Sequence, residues 1–481
     1  MAGRIDLAVT GGTVVLPEGP AKVTVLVRDG RIAGIAEAGF SAAAETVIDA
    51  RNQVVLPGVI DMHVHFRDPG FTHKEDFATG TLQAACGGVT TICDMPNTHP
   101  PVVSAAALAE KLAAVGPKAH VDFGFWAGGA RVEEYPALAA AGCVGIKVYL
   151  TISHVKGAAY MPELFVADDG QLVEIFEGAA RAGLLVAVHV DNVAIARRAR
   201  ERLQAAGRRD PMAHYESLQT LATLEGTSKI IMLAEKLRVR LHIVHATLTS
   251  LDAVRHAARR RREGAPVTIE AGPPSVSLED LRRLGPYALP FELSAKEQEQ
   301  YWRWLADGTI DTVATDHAPH TREEKERGRE DIFAAPTGFP AVETLLPLMF
   351  TEVMRGRFDL TRLAALCAAN PARILGLPRK GRIAVGCDAD LVIVDPERRE
   401  RLRADRLHAK AGWTPFEGRE VRGLPETTML RGTVISEKGE PVGKPGYGQM
   451  VRPTGLANPA LPPAVSASGA GPTEGDRPPW N

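Results

Sequence analysis

The sequence has few cysteines, no paired spacing between them and no long apolar run. Its five cysteines are scattered, and none belongs to a Cys-x-x-Cys pair. This pattern argues against a disulfide framework or a thiolate zinc site and favours a reducing compartment. Residues 1–10 lack the apolar segment of a signal peptide, and the longest apolar runs, such as 184–188, fall far short of the roughly 20 residues that cross a bilayer. We therefore expect a cytoplasmic protein.

The sequence also lacks an excess of charge of either sign. A formal net charge of −2 gives no reason to expect nucleic acid or an anionic membrane as a partner. With 45% hydrophobic and 24% charged residues over 481 positions, the composition fits a globular protein with roughly two or three domains, or a large barrel with an appendage. We expect a small-molecule substrate and a homo-oligomer.

The pattern of predicted secondary structure changes twice along the chain. Residues 1–55 contain short alternating β-strands, and a similar β pattern returns over residues 377–450. Residues 56–376 instead alternate strands and helices, and eight such units predict an α/β fold, a (β/α)8 TIM barrel. We expect the barrel to be inserted in a small β-sandwich formed by the two terminal segments. Residues 454–481, rich in Pro, Gly, Ala and Ser, predict a disordered tail.

An open, doubly wound sheet is the alternative to a closed barrel. Such sheets usually bind phosphate through a glycine-rich turn after the first strand. No such turn follows the predicted strand at residues 57–65, and we therefore favour the barrel.

Polar side chains gather at the predicted C-terminal ends of the barrel strands. His63 and His65 have the same parity in the first strand, so their imidazoles project from one face. Because barrels of this type place their chemistry at the C-terminal strand ends, we expect a larger set to converge there: His63, His65, Lys147, His189, His245 and Asp316. Four imidazoles and a carboxylate suit a borderline divalent ion such as Zn²⁺. A protonated lysine would repel the ion, whereas a lysine carbamylated by CO₂ would offer a bridging carboxylate.

Taken singly, each of these residues has a plainer interpretation. Lys147 alone indicates a surface lysine or the partner in an ion pair. His242 lies in the same strand as His245 with opposite parity, which indicates a packed or solvated histidine. We interpret the other histidines as non-ligands: His73, His99, His154, His214, His256 and His408. The metal-site hypothesis therefore depends on the whole set and its order.

These motifs resemble the amidohydrolase superfamily, and specifically dihydroorotase and its cyclic-amidohydrolase relatives, allantoinase and hydantoinase. The resemblance covers about residues 5–450 and rests on segments 57–65, 145–149 and 314–320 together with His189 and His245. It implies two Zn²⁺ ions bridged by a carbamylated Lys147, a hydroxide that bridges the ions and attacks the amide, and Asp316 as the catalytic residue that takes and returns the proton.

Two further segments resemble the dihydroorotase pattern in particular. They are residues 66–70 and 95–98, and they imply that Arg67, Asn97 and His320 bind a substrate carboxylate. A guanidinium, an amide and an imidazole around one carboxylate are a sound physical arrangement. The plainer alternative is a salt bridge from Arg67 to Asp68 or Asp76.

Two positions depart from the dihydroorotase pattern. The seventh predicted barrel strand, residues 267–271, continues into Pro273-Pro274, where the relatives carry a Pro-His-His or Pro-His-Tyr run. Leu289 stands where dihydroorotases carry an asparagine that contacts the pyrimidine ring. Our first hypothesis is a dihydroorotase that interconverts N-carbamoyl-L-aspartate and L-dihydroorotate in de novo pyrimidine synthesis. The departures favour another cyclic amidohydrolase, with allantoin, a hydantoin or a dihydropyrimidine as substrate. A non-catalytic structural relative is the third hypothesis, although such relatives generally lose metal ligands.

Overall fold

A computed structural model describes residues 4–40, 43–150, 161–164, 166, 168–218, 220–290 and 292–454. The tail predicted at residues 454–481 lies outside the described residues except for Thr454. The described strands begin with β1 (Ile5–Thr10), β2 (Thr13–Leu16), β3 (Gly19–Arg28), β4 (Arg31–Glu37), β5 (Ala44–Asp49) and β6 (Val54–Pro57). The next group is β7 (Val59–Val64), β8 (Val89–Asp94), β9 (Asp122–Gly128), β10 (Gly145–Leu150), β11 (Val186–Val190), β12 (Leu241–Ile243), β13 (Val267–Ala271) and β14 (Thr312–Val313). The last are β15 (Leu391–Arg401), β16 (Glu420–Leu430), β17 (Thr433–Glu437) and β18 (Glu440–Pro441).

The helices alternate with the middle group of strands. In chain order they are α1 (Phe77–Cys86), α2 (Ala105–Val115), α3 (Tyr135–Ala141), α4 (Asp169–Ala182), α5 (Val193–Ala205), α6 (Pro211–Ser217), α7 (Thr220–Leu237), α8 (Leu251–Arg262), α9 (Leu278–Leu284), α10 (Ala295–Asp307), α11 (Arg322–Glu326), α12 (Leu345–Met354), α13 (Leu360–Ala364) and α14 (Asn370–Leu375). Within the described part of the chain, no helix is both long enough and apolar enough to span a membrane.

Strands β7 to β14 form one parallel sheet that closes on itself. Each strand pairs with its neighbours in chain order. At the closing seam Val64 pairs in parallel with His317, and the His65 backbone N–H donates to the His317 carbonyl at 2.7 Å. The predicted (β/α)8 barrel is therefore confirmed, and the open-sheet alternative is wrong. The closure brings the ends of the first and last strands together, where the sequence places three of the six candidate ligands.

The barrel strands are short and apolar because they are covered on both faces. One large cluster of buried side chains joins the strands to the surrounding helices. A second cluster includes Met62, Trp126 and Ala187 of the strands and Ile374 of α14. The fully buried Trp126 ring donates its Nε1–H to the Met62 carbonyl at 2.9 Å, which satisfies its polar atom.

The two terminal segments form one composite sheet, as the sequence predicts. Strand β6 of the N-terminal segment pairs antiparallel with β15 of the C-terminal segment, in the register Leu391 to Pro57. The long strand β3 pairs with β2 through residues 19–22 and lies between β1 and β4 farther along, which links the two halves of the sheet. Both halves contribute to a shared apolar core that includes Val25 and Ile393.

A buried ionic cluster joins the barrel to the composite sheet. Lys380 Nζ lies 2.6 Å from a carboxylate oxygen of Asp122, 2.6 Å from Asp390 and 3.1 Å from Asp388. Asp122 begins β9 of the barrel, and it also pairs with Arg431 of the C-terminal segment. The cluster lies at the N-terminal end of β9, away from the strand end that carries the candidate ligands.

Candidate metal centre

The four imidazoles predicted as ligands lie side by side at the C-terminal end of the barrel. The ring centroids of His63 and His65 are 5.4 Å apart, and those of His63 and His245 are 5.2 Å apart. The rings of His189 and His245 are 4.4 Å apart. The four rings therefore form one continuous group, contributed by the ends of β7, β11 and β12.

The Asp316 carboxylate faces the first two imidazoles. Its Oδ1 lies 3.2 Å from His63 Nε2 and 3.0 Å from His65 Nε2. The donor atoms of these three residues lie within 4.8 Å of one another, which is close enough for one ion. Burial raises the pKa of Asp316, but the neighbouring His63, His65 and Lys147 outweigh this effect and lower it to about 2. The carboxylate is therefore ionised at neutral pH.

Oxygen acceptors hold the other ring nitrogens of these two histidines. His63 Nδ1 lies 3.0 Å from Glu270 Oε1, and His65 Nδ1 lies 2.6 Å from Asn97 Oδ1. An ionised carboxylate and an amide oxygen only accept hydrogen bonds, so both contacts favour the tautomer that is protonated at Nδ1. In that tautomer the Nε2 lone pairs face the Asp316 carboxylate, and a cation between them would satisfy the acceptors on both sides.

Lys147 reaches the same centre from β10. Its side chain is 1% exposed, and its Nζ has no hydrogen-bond partner among the described residues. Burial lowers the pKa of Lys147 to about 8, against the attraction of Asp316 and Glu270. The structure therefore places Lys147 in the interior, and the surface-lysine interpretation is wrong. A buried, largely unpartnered amine with a lowered pKa is able to react with CO₂ in its neutral form.

The donor set fits a divalent metal ion. The centre gathers imidazole nitrogens, an ionised carboxylate and a buried amine. Burying such polar atoms without partners is unfavourable, and a bound divalent ion would supply the partner. The metal-free chain thus contains a candidate site formed by His63, His65 and Asp316. His189, His245 and Lys147 are contiguous with it.

Three residues of the centre have a backbone conformation that L-residues rarely adopt. The φ angles are 62° at Arg67, 35° at His245 and 49° at Asp316. Strained backbone of this kind occurs preferentially at functional sites and persists only where surrounding contacts hold it. For Asp316 one such contact is Asp61, whose buried carboxylate accepts the Thr315 backbone N–H at 3.1 Å.

A cavity of about 830 Å³ opens onto this centre. Its lining includes all six predicted ligands and the three residues predicted to bind a carboxylate, which are Arg67, Asn97 and His320. The plainer alternative for Arg67 was a salt bridge to Asp68 or Asp76. In the structure Asp68 pairs with Lys118 at 2.8 Å, and Asp76 pairs with Lys410 at 2.8 Å. Arg67 forms no salt bridge within the described residues, and its buried Nε has no hydrogen-bond partner there.

His320 lies against Arg67 with both of its ring nitrogens in contact with other groups. Its Nε2 is 3.3 Å from the Arg67 guanidinium and 3.1 Å from the Thr337 carbonyl oxygen. Its Nδ1 is 3.2 Å from Glu324. Desolvation lowers the pKa of His320 well below its ordinary value, so the ring is neutral. His320 is therefore placed to orient Arg67 as well as to face a ligand.

The two departures from the dihydroorotase pattern both lie outside the lining of this cavity. The Leu289 side chain is fully buried in a separate apolar cluster, and its carbonyl accepts the Gly338 N–H at 3.1 Å. Pro273 lines a separate, very small cavity with Phe339 and Phe416. The departures thus change the loops behind the site rather than adding a side chain to it.

Sequence reasoning assigned no role to several buried polar residues that support the centre. Glu270 accepts a hydrogen bond from His63, and Asp61 holds the segment before Asp316. His242 is neither solvated nor merely packed, because its Nε2 contacts Glu270 at 3.2 Å. Asp61 and Glu270 could have been found in the sequence, because each is an acidic residue inside a short apolar strand. A buried carboxylate needs polar partners, so such a position indicates a supporting role.

Comparisons with known proteins agree with the fold. The model of the amidohydrolase family matches residues 54–435. An L-hydantoinase from Paenarthrobacter aurescens is 35% identical over 93% of this chain and 98% of that protein. An allantoinase from Rubrobacter xylanophilus is 38% identical over 93% of this chain and 98% of its own length. A dihydroorotase from Halobacterium salinarum is 37% identical over 85% of this chain and 93% of its own length.

The solved structure of an L-hydantoinase (dihydropyrimidinase) from Arthrobacter aurescens superposes with a TM-score of 0.88 at 34% identity. The match covers 93% of this chain and 100% of that one. Both the composite sheet and the barrel therefore fall within the shared fold. With its closed barrel, its cluster of imidazoles around Asp316 and these full-length relatives, the chain belongs to the amidohydrolase family, among its cyclic amidohydrolases.

Proposed function

We propose that this cyclic amidohydrolase is a metal-dependent dihydroorotase that interconverts N-carbamoyl-L-aspartate and L-dihydroorotate in pyrimidine synthesis. One observation carries the choice of substrate. The Arg67 side chain is half-buried beside the centre, forms no salt bridge to any described residue, and has a buried Nε with no hydrogen-bond partner among them. A buried cation without an anionic partner is costly. A substrate carboxylate would supply that partner, whereas a neutral cyclic amide would not.

The proposed carboxylate contacts follow from the hydrogen-bonding capacity of the three residues. Arg67 offers a planar fork of donors. Asn97 uses its Oδ1 on His65, which leaves its Nδ2 hydrogens for a ligand. His320, 3.3 Å from Arg67, would complete the clamp and hold the guanidinium in place. Anchoring the carboxylate fixes the distance of the ring amide from the centre.

The metal site is part of the proposal. His63, His65, His189, His245, Asp316 and a carbamylated Lys147 would hold two Zn²⁺ ions. Such ions polarise an amide carbonyl and lower the pKa of water towards neutrality. Carbamylation joins the neutral Lys147 Nζ to the carbon of CO₂ and releases one proton, which converts a repelling ammonium into an anionic ligand.

Asp316 is the proposed catalytic residue. In the hydrolytic direction water adds to the ring carbonyl carbon, the carbon–nitrogen bond breaks and the ring nitrogen gains a proton. The ionised Asp316 carboxylate would take the proton from the attacking water and deliver it to the leaving nitrogen. Cyclisation of N-carbamoyl-L-aspartate follows the same path in reverse.

The test compares an anionic and a neutral substrate of similar ring shape. Steady-state hydrolysis of L-dihydroorotate and of 5,6-dihydrouracil is measured on wild type, Arg67→Met and Arg200→Met, with zinc and bicarbonate supplied. Arg200 is a matched control because it also lines the cavity, but it stacks on the Phe333 ring at 4.5 Å and donates to the Phe333 carbonyl. Removing one partner of a buried charge pair costs about 2–5 kcal/mol. We therefore expect Arg67→Met to lower kcat/KM for dihydroorotate about 30- to 4000-fold, and to change the value for dihydrouracil little.

The opposite outcome is equally clear. If wild type hydrolyses dihydrouracil better than dihydroorotate, or if Arg67→Met and Arg200→Met reduce dihydroorotate hydrolysis equally, the dihydroorotase assignment fails. Activity on a neutral ring would still leave a cyclic amidohydrolase.

A hydantoinase or allantoinase activity is the second candidate function. The observation that favours it is the apolar part of the cavity wall, which includes Phe71, Met161, Leu218 and Phe333 and leaves space for a substituent on the ring. Adding allantoin and 5-substituted hydantoins to the same assay separates this candidate. Zinc analysis of the purified protein separates a non-catalytic relative, in which no bound metal is expected.

Two further expectations stay proposals. They are a homo-oligomeric assembly and a cytoplasmic location. Light scattering during size-exclusion chromatography would test the first, and fractionation of cells that express the native gene would test the second.

A further inference from the structure

One buried carboxylate, Glu270 of β13, lies beneath the metal centre without facing the cavity. Its side chain is 1% exposed, and it is absent from the cavity lining. Its Oε1 lies 3.0 Å from His63 Nδ1 and accepts the His245 backbone N–H at 2.9 Å. Glu270 therefore contacts two of the six proposed ligands at the same time, one through its ring and one through its backbone.

The contact with His63 bears on which ring nitrogen carries the proton. Both ring nitrogens face a carboxylate, since Nδ1 lies 3.0 Å from Glu270 Oε1 and Nε2 lies 3.2 Å from Asp316 Oδ1. An ionised carboxylate only accepts, so a neutral ring can donate to only one of the two. Donation to Glu270 leaves Nε2 unprotonated for a metal ion, whereas the opposite tautomer would direct a hydrogen at the metal position.

The contact with His245 addresses a different problem. His245 has a φ of 35°, a conformation that is unfavourable for a residue with a side chain. A hydrogen bond from its backbone N–H to a buried carboxylate stabilises this conformation, because the N–H would otherwise be buried near the centre without that partner. The same oxygen thus holds the backbone that directs the His245 ring towards His189 and His63.

The second oxygen of Glu270 is held from behind. His242 Nε2 lies 3.2 Å from Glu270 Oε2, and His242 Nδ1 lies 2.8 Å from Thr268 Oγ1. Both His242 and Thr268 are buried, and they precede His245 and Glu270 on the neighbouring strands β12 and β13. The chain Thr268–His242–Glu270 fixes the carboxylate from the side opposite the metal centre.

We propose that Glu270 is a positioning residue for the metal centre, which sets the tautomer of His63 and holds the strained backbone of His245, with His242 and Thr268 as its support. This inference rests on the proposed metal dependence but not on the choice of substrate. It predicts that the loss of the carboxylate weakens metal binding even though no direct ligand is removed.

The experiment measures zinc affinity rather than turnover. Metal-free wild type, Glu270→Gln and Glu343→Gln are titrated with zinc against a chromophoric chelator, and bound metal is counted by elemental analysis. Glu343→Gln is the matched control, because Glu343 is also a buried glutamate that holds a histidine, His408, at 2.8 Å, but it lies outside the cavity lining. Loss of a residue that orients a metal ligand typically weakens metal binding about 10- to 100-fold. We expect that loss in Glu270→Gln only.

A second measurement stays informative if Glu270→Gln does not fold. In metal-free wild type, the ¹⁵N imidazole spectrum reports which nitrogen of each histidine is protonated, and His63→Asn identifies the His63 signals. We expect the proton on His63 Nδ1.

The possible outcomes separate the two proposals. A wild type that binds no zinc would overturn the metal site and this inference together. A wild type and Glu270→Gln with equal zinc affinity, or a His63 protonated at Nε2, would overturn the inference and leave the metal site intact.

Discussion

The ionic cluster between the barrel and the composite sheet makes a strong prediction about stability. Lys380→Met removes the single ammonium that lies within 3.1 Å of Asp122, Asp388 and Asp390. Lys380 is 6% exposed, so solvent does little to screen the loss. Among the described residues, Asp122 keeps its contact with Arg431, and Asp390 keeps the hydrogen bond from the Arg431 backbone N–H. Breaking a buried ion pair from one side costs about 3–5 kcal/mol.

That free energy translates into a measurable melting shift. A change of 1 kcal/mol shifts Tm by about 2–4 °C in domains of 150–250 residues, and by less in larger ones. We therefore expect Lys380→Met to lower Tm by about 5–10 °C, as measured by differential scanning calorimetry. Because the cluster lies at the opposite end of β9 from the metal centre, kcat/KM at 25 °C should stay close to wild type.

The pH dependence of that shift provides an internal check. Burial raises the pKa of Asp390 even with Lys380 present, and removing the ammonium raises it further. In the unfolded chain the pKa of an aspartate is about 3.9. A carboxyl whose pKa is higher than this in the folded state destabilises the fold, and the penalty grows as the pH rises above about 3.9. The Tm deficit of Lys380→Met should therefore be largest near pH 8 and shrink as the pH falls towards 5.

The control is Lys229→Met. Lys229 Nζ pairs with Asp169 at 2.8 Å, but Asp169 is 74% exposed, and surface pairs of this kind contribute about 0–1 kcal/mol. If Lys380→Met melts no lower than Lys229→Met, or if its deficit grows as the pH falls, the cluster does not stabilise the junction in the way argued.

Two further predictions concern other parts of the chain. Protein prepared with ¹³C-bicarbonate should show a carbamate carbon signal that is lost in Lys147→Met, since the buried Nζ is the amine that reacts; an unchanged signal in the variant would exclude Lys147 as its source. The Cys86 thiol and the Glu343 carboxylate raise the pKa of His408 to about 10, so the stability from this contact is fully present below about pH 6.5 and is lost as the pH rises towards 10. His408→Gln should accordingly lower Tm more at pH 6 than at pH 10, and an equal loss at both would contradict an ionic contact.

The barrel and its ligand-bearing strand ends were predictable because they depend on local patterns. Strand and helix periodicity over residues 56–376 is visible without tertiary contacts, and parallel strands in sequence place their C-terminal ends at one edge. The order in which the strands of the composite sheet pair was not predicted. Strand β6 owes its pairing to β15, more than 300 positions away along the chain, and no local pattern reports such a partner.

The supporting residues of the site were harder to predict for a related reason. Parity correctly separated His242 from His245 but indicated nothing about Glu270, because the contact between them crosses from β12 to β13. The positive φ angles of Arg67, His245 and Asp316 were equally invisible, since none of the three is a glycine, the residue that usually signals such a conformation. Sequence identifies which side chains carry the chemistry, whereas the residues that hold them in strained positions emerge from the packing around them.

The structure weakens the argument against a dihydroorotase that Leu289 provided in the sequence. In the sequence, leucine in place of asparagine argued against a pyrimidine ring, because leucine offers no hydrogen bond. In the structure the Leu289 side chain is buried among apolar residues, and its carbonyl holds Gly338, which does line the cavity. Its influence on a ligand is therefore indirect, through the shape of the 336–338 segment. Arg67, by contrast, places a guanidinium next to the metal centre, with a buried Nε and no salt bridge to any described residue. Binding a ligand beside this charge demands more free energy than the change at Leu289, and a substrate carboxylate, as proposed above, would satisfy that demand.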